Sequence, residues 1–391
     1  MFALKQLLLL AALLAGSQSA LSVPLSPEDG SSRIRKWYYS DQNLHFKFGQ
    51  PWSQIEAIAK DHDLELVKIE YEYEWTQDIL LFDLKGRLVE TAEYPDEGSF
   101  HAPFYQGLTR GIYDEESGAQ KANRARFSSS RGLKYSYPEG GALISGFFSS
   151  GQPYVLTDTS LLNRAKKFIE YKEKRTVSEA ELRRLVAEDF QVKPEHLYAL
   201  RIQGHLDLQI LALPGGKILL NDPRLNAGVL SQLLGAADGL ERTRLEGIHD
   251  IYTAGWTRYY SDRAPEHLRG KPMQEKRLPY DAHDTRLLDE IAAQLSKDFV
   301  VVRVAGEFHE MDPKVDFQPR EHINFFNAFH GRDSKGRYFQ LSNSTRGLPL
   351  LEKYWKNLIQ KEIGDTAAAV YFPGLYSRGA GLDCSGAVSA E

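Results

Sequence analysis

The sequence predicts an α/β fold of repeated strand–strand–helix–strand groupings, and three observations carry that prediction. Short runs alternate apolar and polar residues with the two-residue period of a half-buried strand. Between them lie amphipathic stretches with the apolar spacing of helices. The groupings return roughly once every sixty or seventy residues, as an α/β repeat does and a string of unrelated domains does not. No identity between the units stands out, so the expected repeat is one of pattern. With 391 residues, 42% of them hydrophobic and 26% charged, the chain is able to bury a large core.

The first residues stand apart from the repeat. Lys5 is followed by an apolar run over 7–14 and then by small residues over 16–20. Such a run is too short to span a bilayer, and small residues after it suit a processing protease. Residues 1–22 therefore read as a secretory signal peptide cut after Ser19 or Ser22, with an uncleaved anchor as the alternative. The mature protein is expected to be secreted or periplasmic, with no membrane association after removal of the signal. Loss of Lys5 takes the formal charge from −5 to −6, and no long basic block remains, which argues against nucleic acid as a partner. Residues 23–50 read as a leader or linker, rich in Ser, Pro and Gly over 23–35, and 51–391 as one catalytic domain.

Taken in order, 52–62 has helical spacing and 64–73 alternates as a strand, followed by a second strand over 79–84, a turn at Lys85 and Gly86, and 87–91. Residues 99–134 are irregular and read as a long surface loop. Order returns with Pro138-Glu139-Gly140-Gly141, strands over 142–145 and 154–158, and a charged helix over 161–172. Ser178 with Glu181 three residues on is a capping box, which predicts a helix over 179–190. A strand over 197–202 leads into an alternating run over 201–222. Beyond it come a helix over 227–236, a poorly patterned segment containing Trp256, Tyr259 and Tyr260, a helix over 284–297 and a strand over 299–304. Strands over 323–328 and 338–342 meet across a turn at Asp333–Gly336, and a helix over 349–362 and a strand over 367–372 complete the pattern.

The chemistry concentrates in the run over 201–222. His205 and Asp207 are two residues apart, so in an extended segment both point to one face. The single cysteine, Cys384, cannot close an internal disulfide and is either a buried small hydrophobe or a reactive thiol. An imidazole, a carboxylate and a thiol are the minimum parts of a cysteine-based hydrolytic site. Asp78, at the junction of two expected strands, is placed to project into a cleft.

Four short motifs occur in order: Trp75-Thr76-Gln77-Asp78, Glu139-Gly140-Gly141 before a strand, Gly204-His205-Leu206-Asp207 in an alternating run, and a Gly379-x-x-x-x-Cys384 near the C-terminus. Together they resemble the guanidino-group-modifying superfamily with the five-bladed pentein α/β propeller, and within it the peptidylarginine and agmatine deiminases. The first motif is closer to peptidylarginine deiminases. In contrast, EGGALIS over 139–145, TDTSLLNR over 157–164 and INFFNAF over 323–329 are similar to agmatine deiminases.

The resemblance implies Asp78 and Asp207 as carboxylates binding a guanidinium, His205 as general acid/base, Cys384 as nucleophile, Trp75 against the substrate's aliphatic stem and Arg378 near the substrate. Two departures stand out. Asp383 adjoins the cysteine, where a carboxylate disfavours a thiolate, and no arginine is fixed near Asp78, although Arg110 is available.

The expected activity is hydrolysis of peptidyl-arginine to citrulline and ammonia. Alternatives are a free-arginine or agmatine deiminase, an amidinotransferase, and a non-catalytic pentein that binds a guanidinium or a protein. A cysteine peptidase fits poorly, because two carboxylates would oppose the negative charge that develops at its reacting centre. The expected partner is an arginine-containing peptide or protein, or a small guanidino compound. No cofactor is expected, and calcium dependence stays open: Asp281, Asp284, Asp312 and Asp316 form no EF-hand loop.

Overall fold

The computed structural model describes residues 24–40, 51–69, 80–90, 92, 129–138, 140–202, 205–253, 256–257, 277–278, 282–311, 319–373 and 386–390. Four of its sheets are built alike: a middle strand has one antiparallel and one parallel neighbour, and helix lies between the middle strand and the parallel one in sequence. Leu143–Phe147 pairs antiparallel with Pro153–Asp158, which pairs parallel with Leu197–Leu200. Ile210–Leu213, Lys217–Asn221 and Val300–Val304 repeat that order, as do Phe329–Arg332, Tyr338–Leu341 and Ala369–Tyr371. The fourth sheet joins segments far apart in sequence, with Ile34–Ser40 between Gly386–Ala390, antiparallel, and Glu65–Ile69, parallel. A bridge between Phe82 and Leu88, antiparallel, and a pairing of Leu88–Glu90 with Ser129–Gly132, parallel, carry the same sense.

The helices follow from local sequence. Thr159–Glu173 is capped by Asp158, whose Oδ1 accepts the Leu161 amide at 3.0 Å, and Glu179–Phe190 by Ser178, whose Oγ accepts the Glu181 amide at 3.2 Å. Leu161, Ala165, Phe168 and Ile169 form the buried face of the first. Pro349–Ile363 buries Leu351, Trp355 and Ile359, positions that fall on one helical face, and Trp355 stacks on Phe325 with ring centroids 5.2 Å apart.

Several segments differ from the expectation. Ile34–Ser40, inside the stretch read as a leader, is the central strand of a sheet, with Ile34, Trp37 and Tyr38 buried. The preceding residues pack as a strap: Ser26 N donates to Phe82 O, Glu28 N to Ser145 O, and Ser32 O accepts from Arg332 N, so one short segment ties three units together. The Ser, Pro and Gly content of 23–35 signals turns but does not report what those turns are bonded to.

The strand expected over 323–328 divides instead. Pro319–Asn324 ends one strand, and Phe329–Arg332 begins another. Asn324 Oδ1 accepts the amides of Phe326 and Asn327 at 2.9 and 3.1 Å, an asparagine turn that stops the ladder. Finally, Gly239–Thr253, in the segment read as poorly patterned, is a helix that buries Leu245, Ile248 and Ile251.

The units also share more than pattern. Asp83-Leu84-Lys85-Gly86-Arg87 and Asp333-Ser334-Lys335-Gly336-Arg337 form the same hairpin turn in two units. In each, the aspartate Oδ1 accepts two backbone amides, from Lys and Arg, at 2.9 Å, and the Arg Nε donates to Oδ2. The glycines have φ of +70° and +77°, the left-handed region that glycine enters without strain.

Candidate functional site

The strand Leu197–Leu200 runs toward His205, which keeps an extended backbone (φ −78°, ψ 144°) and then starts a single 3-10 turn, Leu206–Leu208. The alternating run is therefore not one strand: its first part is this turn, and the strands are Ile210–Leu213 and Lys217–Asn221. Leu206 is fully buried among Ile144, Leu156, Leu200 and Ile210 and anchors the turn from below. That anchoring sends His205 and Asp207 the other way, with His205 Nδ1 4.0 Å from Asp207 Oδ1. At this separation the pair interacts through space without a hydrogen bond. The His205 side chain is 32% exposed and Asp207 is buried, so the imidazole is the more accessible of the two groups.

Gly141 explains the Glu-Gly-Gly motif. A Cβ added there would lie 2.2 Å from His205 Nδ1 and 2.9 Å from Asp207 Oδ1. Any side chain would displace the imidazole, so a glycine is what allows this turn to close over both residues.

Behind Asp207 lies a belt of buried polar side chains. Asn327 Nδ2 donates to Asp207 Oδ2. Asn324 Nδ2 donates to Leu208 O at 2.8 Å, and Asn343 Nδ2 donates to Asn324 O at 2.7 Å and Asn327 O at 3.3 Å. Next to it, Glu307 Oε2 accepts from Gln209 Nε2 at 2.9 Å and Asn221 Nδ2 at 2.8 Å. Tyr252 donates to Glu307 O at 3.4 Å, and burial together with the Glu307 charge pushes its hydroxyl above the ordinary range, so it stays a neutral donor.

Of the residues singled out from the sequence, His205 and Asp207 are brought together as expected, through a turn instead of a strand. Trp75, Asp78, Arg378 and Cys384 lie outside the described residues, as do Asp383 and Arg110. Asn324, Asn327 and Glu307 were not anticipated as part of the site. The available signal was an amide or carboxylate inside an apolar run, most visibly in INFFNAF, where only the resemblance had been noted. Among the described residues, no group of three or more His, Cys, Asp or Glu is placed to hold a metal ion, and no helix is long and apolar enough to cross a membrane.

No protein-family model matches the sequence, and no curated protein matches it. Solved structures do match. An agmatine deiminase of C. jejuni superposes with a TM-score of 0.53 at 12% identity, over 94% of this chain and 97% of that one. A C. jejuni agmatine deiminase carrying a Cys-to-Ser change, solved with substrate bound, gives 0.51 at 11% identity, over 94% and 96%. The agmatine deiminase of Enterococcus faecalis gives 0.50 at 12% identity, over 95% and 96%. At such identities the likeness is one of architecture, and it runs through nearly the whole chain: the protein has the pentein-type α/β fold of the agmatine deiminases.

Proposed function

We propose that the protein is a hydrolase that removes ammonia from a guanidino compound, with Cys384 as nucleophile, His205 as general acid/base, and Asp207 and Asp78 holding the guanidinium. The observation that carries this reading is the His205–Asp207 pair, 4.0 Å apart under a turn that tolerates only glycine at Gly141, in a chain with the fold of agmatine deiminases. The repeated sheets are, on this proposal, blades of a five-bladed propeller with the site at its centre.

A guanidinium is planar and cationic, and its N–H pairs match carboxylate oxygens. Two carboxylates would fix its central carbon in front of the thiolate. The Cys384 sulfur adds to that carbon, the C–N bond breaks, and the departing nitrogen takes a proton from His205 and leaves as ammonia. His205 then takes a proton from water, the resulting hydroxide adds to the same carbon, and the C–S bond breaks to return the thiolate and a ureido product.

The architectural likeness supports a small guanidino substrate of the agmatine kind. The Trp75-Thr76-Gln77-Asp78 motif and the apolar leader support a second reading, an exported enzyme acting on peptidyl-arginine. A colorimetric assay for ureido groups separates them, run with agmatine, free arginine and a blocked arginyl peptide, with and without calcium, and with Cys384→Ala as the blank. Colour from agmatine or arginine that disappears in Cys384→Ala is the expected result. Colour from the peptide alone moves the assignment to the second reading, and no colour from folded protein with any of them sinks the hydrolase.

A further inference from the structure

We propose that Asn327 is a positioning residue for this reaction, holding the Asp207 carboxylate in the orientation that receives the substrate's guanidinium. The proposal rests on the hydrolase reading above.

Asn327 is fully buried, and its Nδ2 donates to Asp207 Oδ2, which leaves Oδ1 as the oxygen directed toward His205 Nδ1. The asparagine is itself held from two sides. Its amide donates to Asn324 Oδ1 at 3.1 Å, and its carbonyl accepts from Asn343 Nδ2 at 3.3 Å. Asn324 also clamps the turn that carries Asp207, through Leu208 O at 2.8 Å. Two contacts, Asn324 to the turn's backbone and Asn327 to its carboxylate, thus tie one short element of the chain to a turn more than a hundred residues away in sequence.

The chemical type matters. A neutral amide satisfies a carboxylate oxygen without cancelling its charge, whereas a lysine or arginine at the same point would neutralise the carboxylate that a cationic substrate must find. The divided strand at Asn324 also acquires a purpose: a continuous strand through 324–329 would carry residue 327 along the ladder, and the asparagine turn holds it against Asp207 instead.

The test compares the unmutated protein with Asn327→Ala and Asn327→Asp, measuring kcat and KM against pH for the substrate found in the assay above, together with thermal melting. Asn327→Ala is expected to lower kcat/KM by about 10- to 100-fold, the range for losing one hydrogen bond to a charged group, with KM for the guanidinium rising. In Asn327→Asp the introduced carboxyl donates to Asp207 only while protonated, so activity should recover as the pH falls, opposite in direction to the native acidic limb. His205 is the described titratable group that faces Asp207, and it is the same in all three proteins.

A purely structural role would lower melting temperature and active fraction while leaving KM and the pH profile of the folded molecules native, and that result overturns the proposal. So does native kinetics in Asn327→Ala. An unmutated protein that forms no ureido product removes the hydrolase reading, and this role with it; an active native enzyme with unperturbed variants removes this role alone.

Discussion

Asp333 and Asp207 are both buried aspartates on tight turns, yet the chain treats them in opposite ways. Asp333 Oδ1 accepts the amides of Lys335 and Arg337 at 2.9 Å, and Oδ2 accepts the Arg337 Nε at 2.6 Å and lies 3.0 Å from His62 Nδ1. Asp83 repeats the arrangement with Arg87, whose Nε and Nη2 both donate to Oδ2. These carboxylates already hold a guanidinium supplied by their own hairpin. Asp207 receives an amide from Asn327 and looks toward an imidazole 4.0 Å away. In the first arrangement the carboxylate meets a cation of its own hairpin, and in the second it meets a neutral amide and an imidazole.

The sharpest way to break this comparison is to neutralise Asp207. Asp207→Asn preserves size and is expected to lower kcat/KM on a guanidino substrate by about 100- to 1,000-fold, since a buried opposite charge is lost from the bound cation, while the melting temperature changes little. Activity assays beside thermal melts measure both halves. Equal loss of stability and activity would place Asp207 with Asp333 as a structural carboxylate.

The converse substitution is Asp333→Ala. It strips Arg337 and His62 of their common partner and should cost about 3 kcal/mol of stability in urea unfolding, with activity per folded molecule unchanged. Its pH dependence has a definite sign. Burial raises the Asp333 carboxyl, but hydrogen bonds from Arg337 and His62 outweigh it and hold the group below its ordinary value of 3.8. A carboxyl depressed in the folded state contributes stability that is present above its unfolded value and is lost as the pH falls through the folded one. The stability gap between native protein and Asp333→Ala should therefore narrow as the pH drops below about 4.

The smallest expected effect is at the turn itself. A Cβ at Gly336 would meet nothing within 4 Å, so Gly336→Ala costs only the backbone strain at φ +77°, about 1 kcal/mol, and leaves activity untouched. Unfolding in urea resolves a change of that size. A loss several times larger would show that the hairpin does more than close a turn.

The sequence carried the helices and strands best where local chemistry decides them. The capping box at Ser178 gives Glu179–Phe190 with the expected bounds, and the turn at Asp333–Gly336 stands where glycine and aspartate predict one. Long-range pairing was less legible. Ile34–Ser40 takes its partners from Glu65–Ile69 and Gly386–Ala390, and nothing local in a Ser- and Pro-rich neighbourhood announces them.

At the site, His205 and Asp207 were legible because their spacing brings them together in either an extended segment or a tight turn. Asn327 was not, because its role depends on Asn324 interrupting a strand that periodicity alone would continue. The Asp-x-Lys-Gly-Arg identity was written in the sequence throughout. Four matching residues in a chain of 391 gain meaning only when both copies are seen to make the same bonds.

The sheet around Ile34–Ser40 unites segments from widely separated parts of the sequence, and that bears on how the fold forms. Ile34 pairs with Ala390, so the sheet around Ile34–Ser40 lacks one neighbour until Gly386–Ala390 docks. Pairings so far apart in sequence close a long loop and are expected to form late, so this sheet should be completed slowly: its parallel partner Glu65–Ile69 is near in sequence and its antiparallel partner Gly386–Ala390 is not.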